Sequence, residues 1–201
     1  MLAHPIDDEL TEIRAAAGTD EGAVTAILLL AFSANPPTRW LFPDPARYVE
    51  LYPRFVHAFG GAAFAHGSAD LLADGGGAAL WLPPGVDSDG AALVELMREA
   101  IDPSRRDATF ALLGELAAHR PSQPHWYLPL IGVDPARKLR GLGSALLRHA
   151  LQRCDRDHQP AYLESSDPKN IPLYERHGFV LQAAVQVGDS PPLFPMLREA
   201  R

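Results

Sequence analysis

"LIGVDPARKLRGLGSALL", residues 130–147, is the stretch on which the reading of this chain turns. An apolar run ends at Val133, and a turn carrying Arg137, Lys138 and Arg140 follows. Gly141 and Gly143 come next, and then apolar residues at helical spacing. The run begins upstream, as "HWYLPLIGV" at 125–133. Aromatic and β-branched residues without polar alternation mark a buried strand. Pro129 lies inside it and has no N–H to give to a ladder, so a bulge or local break is expected there. Downstream, a helix is expected from Leu142 to Arg156, with Gly143, Leu147, Ala150, Leu151 and Cys154 as its apolar stripe. Cys154 then belongs to the core.

Strand, basic glycine turn and helix together form an anion site in principle. The first N–H groups of a helix have no internal partner and point along its dipole. Glycine lets a phosphate approach the backbone without a Cβ in the way. The stretch lacks the GK[ST] of a Walker loop and the third glycine of GxGxxG. On these residues alone, a phosphate cradle and a charged surface turn before a helix remain equally open.

The rest of the chain supplies the context. A length of 201 residues fits one domain with a sizeable core. A formal net charge of −7 and the lack of a long basic run argue against nucleic acid as a partner. The single cysteine excludes a disulfide framework and a cysteine zinc cluster, and no histidine spacing suggests a metal. "MLAHPIDDEL" has no leader character, and the apolar run "AVTAILLLAF" is about half the ~20 residues of a bilayer span. A cytoplasmic protein without membrane contact is the expectation.

Elements are expected in this order. A short strand lies around Ile13, and a helix capped by Thr19 or Asp20 runs to Phe32. "NPPTRWLFPDPARY" is a proline-punctuated loop leading into a helix over 45–59. A hairpin spans 69–82. A helix carries Leu93, Met97, Ala100 and Ile101 on one face, and another carries Phe110, Leu113 and Ala117. After the central strand and helix come the strand "PAYLESS", a short helix over "DPKNIPLYERHG" closed by Gly178, the strand "FVLQAAVQV" and a last strand "LFPML". The class is mixed α/β with a crossover unit at its centre.

Two segments carry a family resemblance. The first, 130–147, resembles the acetyl-CoA-binding motif of the GNAT N-acetyltransferases. The second, "AYLESSDPKNIPLYERHGF" at 161–179, resembles the family's second motif, in the family's order and spacing. The wording is closest in look to puromycin N-acetyltransferase-like members. The resemblance implies one GNAT domain over residues 1–201. It also implies a single, mostly antiparallel twisted sheet whose central parallel pair splays around acetyl-CoA, with helices on both faces. The implied activity is direct acetyl transfer to the primary amine of a small molecule, with no metal. A non-catalytic or weakly active CoA-binding module is the alternative. A third reading makes the basic loop a nucleotide or protein contact. Oligomeric state, a homodimer included, stays open.

By resemblance, Ile131, Gly132 and Val133 hold the pantetheine arm alongside the strand. Lys138, Leu139, Arg140, Gly141, Leu142, Gly143 and Ser144 cradle the pyrophosphate. Asn170 bonds the arm, and Tyr174 reaches the thioester sulfur as general acid; a tyrosine packed against the sheet is the structural alternative. Glu164, at the end of its strand, is the candidate base or amine anchor, against a solvent-facing strand-end charge. His125 is the second candidate base. "TRWLF" and the hairpin near Trp81 are candidate walls for the acceptor. Leu139 departs from the family, which carries glycine there. If that position needs a positive φ, a leucine costs roughly 1 kcal/mol or more.

Overall fold

The computed structural model describes residues 12–201; the stretch read for a leader lies outside them. Seven strands form one sheet in the order β1-β2-β3-β4-β5-β7-β6. They are β1 (Ile13–Ala15), β2 (Ala69–Leu72), β3 (Gly77–Leu82), β4 (Trp126–Val133), β5 (Ala161–Ser165), β6 (Val180–Leu181) and β7 (Phe194–Arg198). Every neighbouring pair is antiparallel except β4 and β5, which run parallel. This is the expected mixed α/β architecture.

The helices are α1 (Glu21–Phe32), α2 (Pro36–Leu41), α3 (Pro45–Gly60), α4 (Ala62–Ala65), α5 (Gly90–Ala100), α6 (Arg106–Ala118), α7 (Leu142–Arg156) and α8 (Ile171–Arg176). Among the described residues, the two larger of three apolar clusters lie one on each face of the sheet, because alternate strand residues point to opposite sides. One holds Val24 and Leu28 of α1, Leu51, Tyr52 and Val56 of α3, and Tyr127, Leu130 and Tyr162 from the sheet. The other holds Leu142, Leu146, Leu147, Ala150, Leu151 and Cys154 of α7, with Trp81, Trp126, Leu128, Leu163 and Tyr174. Asp70 of β2 is fully buried and takes two hydrogen bonds from Arg153 (2.9 and 2.7 Å), which ties α7 to the sheet.

Several elements differ from expectation. The proline-rich loop contains α2, because the Asn35 side chain accepts the Thr38 N–H and prolines occupy its first turn. Asp20 does not cap α1; its carboxylate is held by Arg14 (2.7 and 2.8 Å) and by the Ala17 N–H. Helix α6 is rotated from the expected face: Thr109, Leu112 and Leu116 are buried, while Phe110 and Leu113 are exposed. Its apolar residues occupy nearly every side, so tertiary contacts chose the face. Of "FVLQAAVQV", only Val180–Leu181 is strand, with one further bridge at Val185.

Candidate functional site

The site begins where β4 and β5 part. Their pairing covers Trp126–Leu128 against Ala161–Leu163 and then stops. Strand β4 continues against β3 to Val133, and β5 continues against β7 to Ser165. A wedge therefore opens between two strands that are each secured on their far side. Pro129 sits at the apex. The β3 register shifts between Leu80 and Leu82, so two β4 residues, Leu128 and Pro129, oppose Trp81 alone. The expected bulge is there, and the missing proline N–H falls where no partner strand remains.

Hydrogen-bond alternation decides which β4 groups line the wedge. The Asp134 N–H donates to the Gly76 carbonyl at 3.0 Å. Counting back in an antiparallel ladder, Gly132 and Leu130 also bond to β3, while the N–H and C=O of Ile131 and Val133 face the wedge. The three residues grouped by resemblance therefore divide. Ile131 and Val133 present the backbone. Gly132 has another duty: a Cβ there would lie 2.7 Å from Ala31 Cβ and 3.0 Å from Leu28 Cδ2, so its smallness seats α1 on the sheet.

The basic loop follows directly. Asp134 caps a 3-10 turn over Pro135–Arg137 by accepting the Ala136 N–H at 2.9 Å. Arg137 is held by Asp74 of the β2–β3 turn, whose carboxyl the guanidinium keeps below the usual range. Leu139 has φ 65° and its side chain is fully exposed; Gly141 has φ 79° and precedes α7. Leu139 thus occupies the left-handed region that favours glycine. Lys138 and Arg140 are exposed beside it. The Ser144 hydroxyl bonds His177 Nε2 at 2.7 Å, a contact the sequence did not suggest because 33 residues separate them. Burial, then Arg148, Arg176 and Arg198, lower the His177 pKa.

The two titratable candidates sit on opposite faces of the sheet. Tyr174 is buried on the α7 face with its ring edge-on to Phe179, and burial raises its pKa. Glu164 follows Tyr162 by two residues and so shares the α1–α3 face. Its side chain is 12% exposed, which rules out a solvent-facing strand-end charge. The Tyr127 hydroxyl donates to Glu164 Oε2 at 2.8 Å, and Arg120 Nε lies 3.7 Å from Oε1. Burial nonetheless raises the Glu164 pKa, against the opposing pull of Arg120 and the Tyr127 hydroxyl. The Tyr162 hydroxyl is buried here without a hydrogen-bond partner among the described residues. Arg120, Tyr127 and Tyr162 are site residues missed in the sequence. The signal for Tyr162 was its i, i+2 relation to Glu164; the other two needed the β4–β5 register.

Other candidates fall elsewhere. Asn170 is exposed at the start of α8, with no capping bond. His125 Nδ1–H donates to the Gln123 carbonyl (2.8 Å), with its ring edge-on to Tyr162. Trp81 is fully buried in the α7-side core and is no acceptor wall. Instead Asn35 reaches the β5 end, donating to Ser166 Oγ at 2.8 Å. Cys154 is buried, its thiol pushed up to about 12. A cavity of about 480 Å³ between α1, α3 and α5 includes none of these site residues.

A wedge between parallel strands that ends on a helix N-terminus defines the class: a mixed α/β protein with one mostly antiparallel sheet that parts at its parallel pair. Residues 95–179 match the acetyltransferase (GNAT) family. An uncharacterised N-acetyltransferase of Schizosaccharomyces pombe is 36% identical over 77 residues, which is 37% of this chain and 31% of that protein. The chain thus spans about a third of the length of that curated relative. Among solved structures, a histone acetyltransferase HPA2-related acetyltransferase of Corynebacterium glutamicum aligns over 95% of this chain and 97% of its own, at TM-score 0.68 and 23% identity. A polyamine N-acetyltransferase of Drosophila melanogaster aligns over 92% and 97%, at TM-score 0.62 and 18% identity. The match to the GNAT acetyltransferase family thus rests on residues 95–179, and the solved acetyltransferases share the fold over nearly the whole chain.

Proposed function

We propose that this protein is an acetyl-CoA-dependent N-acetyltransferase acting on the primary amine of a small molecule, with residues 1–201 as one such domain. The carrying observation is the unpaired edge of Ile131 and Val133, which leads into the left-handed turn at Leu139–Gly141 and the start of α7. These residues fit the cosubstrate. The edge offers alternating donors and acceptors to an extended amide-bearing arm. The turn and the N–H groups of Leu142, Gly143 and Ser144 suit a pyrophosphate. Lys138 and Arg140 add charge there, and Asn170 offers an amide from α8. Acetyl-CoA supplies the activated thioester.

The protein's own residues do the rest. The Ile131 or Val133 N–H polarises the thioester carbonyl. Glu164, held by Tyr127 and Arg120, accepts the proton the amine loses as the C–N bond forms. Tyr174 is kept protonated by burial and gives its proton to the departing sulfur as the C–S bond breaks. Base and acid approach the wedge from opposite faces, so neither has to vacate the other's position. An agmatine- or polyamine-type acceptor is consistent with relatives named for those amines.

The test is calorimetric titration with acetyl-CoA, followed by a screen of amines read by free thiol release. Micromolar binding and amine-dependent release are expected. Tyr174→Phe should lower turnover far more than acetyl-CoA affinity, and equal turnover would remove Tyr174 as the acid. The alternative is a weakly binding module without turnover. Millimolar or absent binding would support that reading.

A further inference from the structure

The acceptor side of the wedge contains a cation where an amine has to enter. Arg120 follows α6, and its guanidinium carbon lies 4.1 Å from the Tyr127 ring centroid. Its Nε is 3.7 Å from Glu164 Oε1, within ion-pair range but beyond a hydrogen bond. The guanidinium borders both Glu164 and the Tyr127 hydroxyl, and these neighbours raise its pKa. Its side chain is only 32% exposed. A donor fork, partly desolvated and stationed over an aromatic ring, is thus held beside the candidate base with part of it still open to solvent.

A guanidinium there repels an acceptor whose only charge is positive. It suits one that brings a carboxylate with its amine, because the fork matches a carboxylate bidentately. In an α-amino acid the two groups are separated by a single carbon, close to the spacing of Arg120 and Glu164. We propose that the acceptor is an amine carrying a carboxylate on the adjacent carbon, an amino acid or a close analogue, and that Arg120 selects it. The amine meets Glu164 and the carboxylate meets Arg120. This rests on the acetyl-transfer reading and narrows it away from the polyamine and agmatine acceptors of the fold neighbours.

The experiment uses the full chain, acetyl-CoA and acceptor pairs that differ only in the carboxylate: arginine with agmatine, and tyrosine with tyramine. kcat and KM are measured for each by thiol release. The wild-type protein should favour the acid of each pair in kcat/KM by about ten- to a hundredfold, as a charge-assisted bidentate pair would give. In Arg120→Gln that ratio should collapse to near unity, chiefly by a raised KM for the acid. Any change that the substitution causes at Glu164 affects both members and cancels in the ratio. Arg120→Lys should retain part of the preference, which separates loss of the charge from loss of the fold. A wild-type preference for the decarboxylated partner, or an unchanged ratio in Arg120→Gln, overturns the proposal while leaving acetyl transfer intact. Absence of thiol release with every amine, acid or not, overturns acetyl transfer and this proposal together.

Discussion

Gly132→Ala tests the division of labour along β4. The added Cβ would stand 2.7 Å from Ala31 Cβ and 3.0 Å from Leu28 Cδ2, inside any real carbon–carbon contact. Ala31 is a methyl on a helix, with no rotamer to escape through, so α1 as a whole has to lift. Overpacking of this kind costs about 1–3 kcal/mol. For a chain of this size each kcal/mol lowers Tm by about 2–4 °C, so a drop of about 2–12 °C is expected. The backbone groups of Gly132 bond β3 and not the wedge, so acetyl-CoA affinity at a temperature where the variant is folded should change by less than about tenfold, or 1.4 kcal/mol. Thermal unfolding by circular dichroism and calorimetric titration read the two quantities separately. An unchanged Tm with a large loss of affinity would refute the assignment and return Gly132 to the cofactor edge.

Three further outcomes follow from the same geometry. Glu164→Gln should lower kcat by about 10²- to 10⁴-fold with acetyl-CoA affinity kept, as loss of a general base does. Because burial raises the folded-state pKa of Glu164 above its unfolded value, the wild type loses stability as pH rises through that window. The stability of Glu164→Gln relative to wild type, from urea melts across pH, should therefore improve as pH rises; a gain only at low pH would contradict the burial argument. Leu139→Gly should leave acetyl-CoA affinity within about threefold, because strain carried in both free and bound states cancels in binding. The same change relieves about 1 kcal/mol of left-handed strain and restores a similar chain entropy, so Tm should barely move. Asp70→Ala leaves Arg153 buried without its carboxylate and should cost about 3–5 kcal/mol in urea unfolding.

Helix α7 was legible in its bounds, because a glycine turn marks its start, but Leu142 and Leu146 rather than Gly143 complete the buried stripe with Leu147, Ala150, Leu151 and Cys154. The glycine turn before it was legible for the same reason: its sequence signal is local. The left-handed position was also inferable, and Leu139 occupies it at φ 65°. Helix α6 was not legible, since "FALLGELAA" is apolar on several sides and only packing against Trp40 and Val185 selects Leu112 and Leu116. Nor could Arg120 and Tyr127 be connected to Glu164. Those contacts depend on which β4 residue stands opposite which β5 residue, and no local pattern encodes a parallel register. His177 reaches Ser144 through the same kind of long-range closure.

Pro129 draws these observations together. Tyr127 and Leu130 both face the α1–α3 core although they are three residues apart, while Leu128, Ile131 and Val133 face α7. The extra residue at the bulge produces that change of phase. Without it, strict alternation from Tyr127 would turn the backbone groups of Ile131 and Val133 toward β3 and bring Leu130 and Gly132 to the wedge. The glycine that α1 needs would then lie on the wrong side of the ladder. With it, the pairing with β5 ends at Leu128↔Leu163, the residue lacking an N–H sits where no partner strand is left, and two branched residues present the open edge. Glu164 leaves the same apex on the other strand, facing away from Tyr174. One proline at the bulge thus marks where the wedge opens and sets which β4 backbone groups line it.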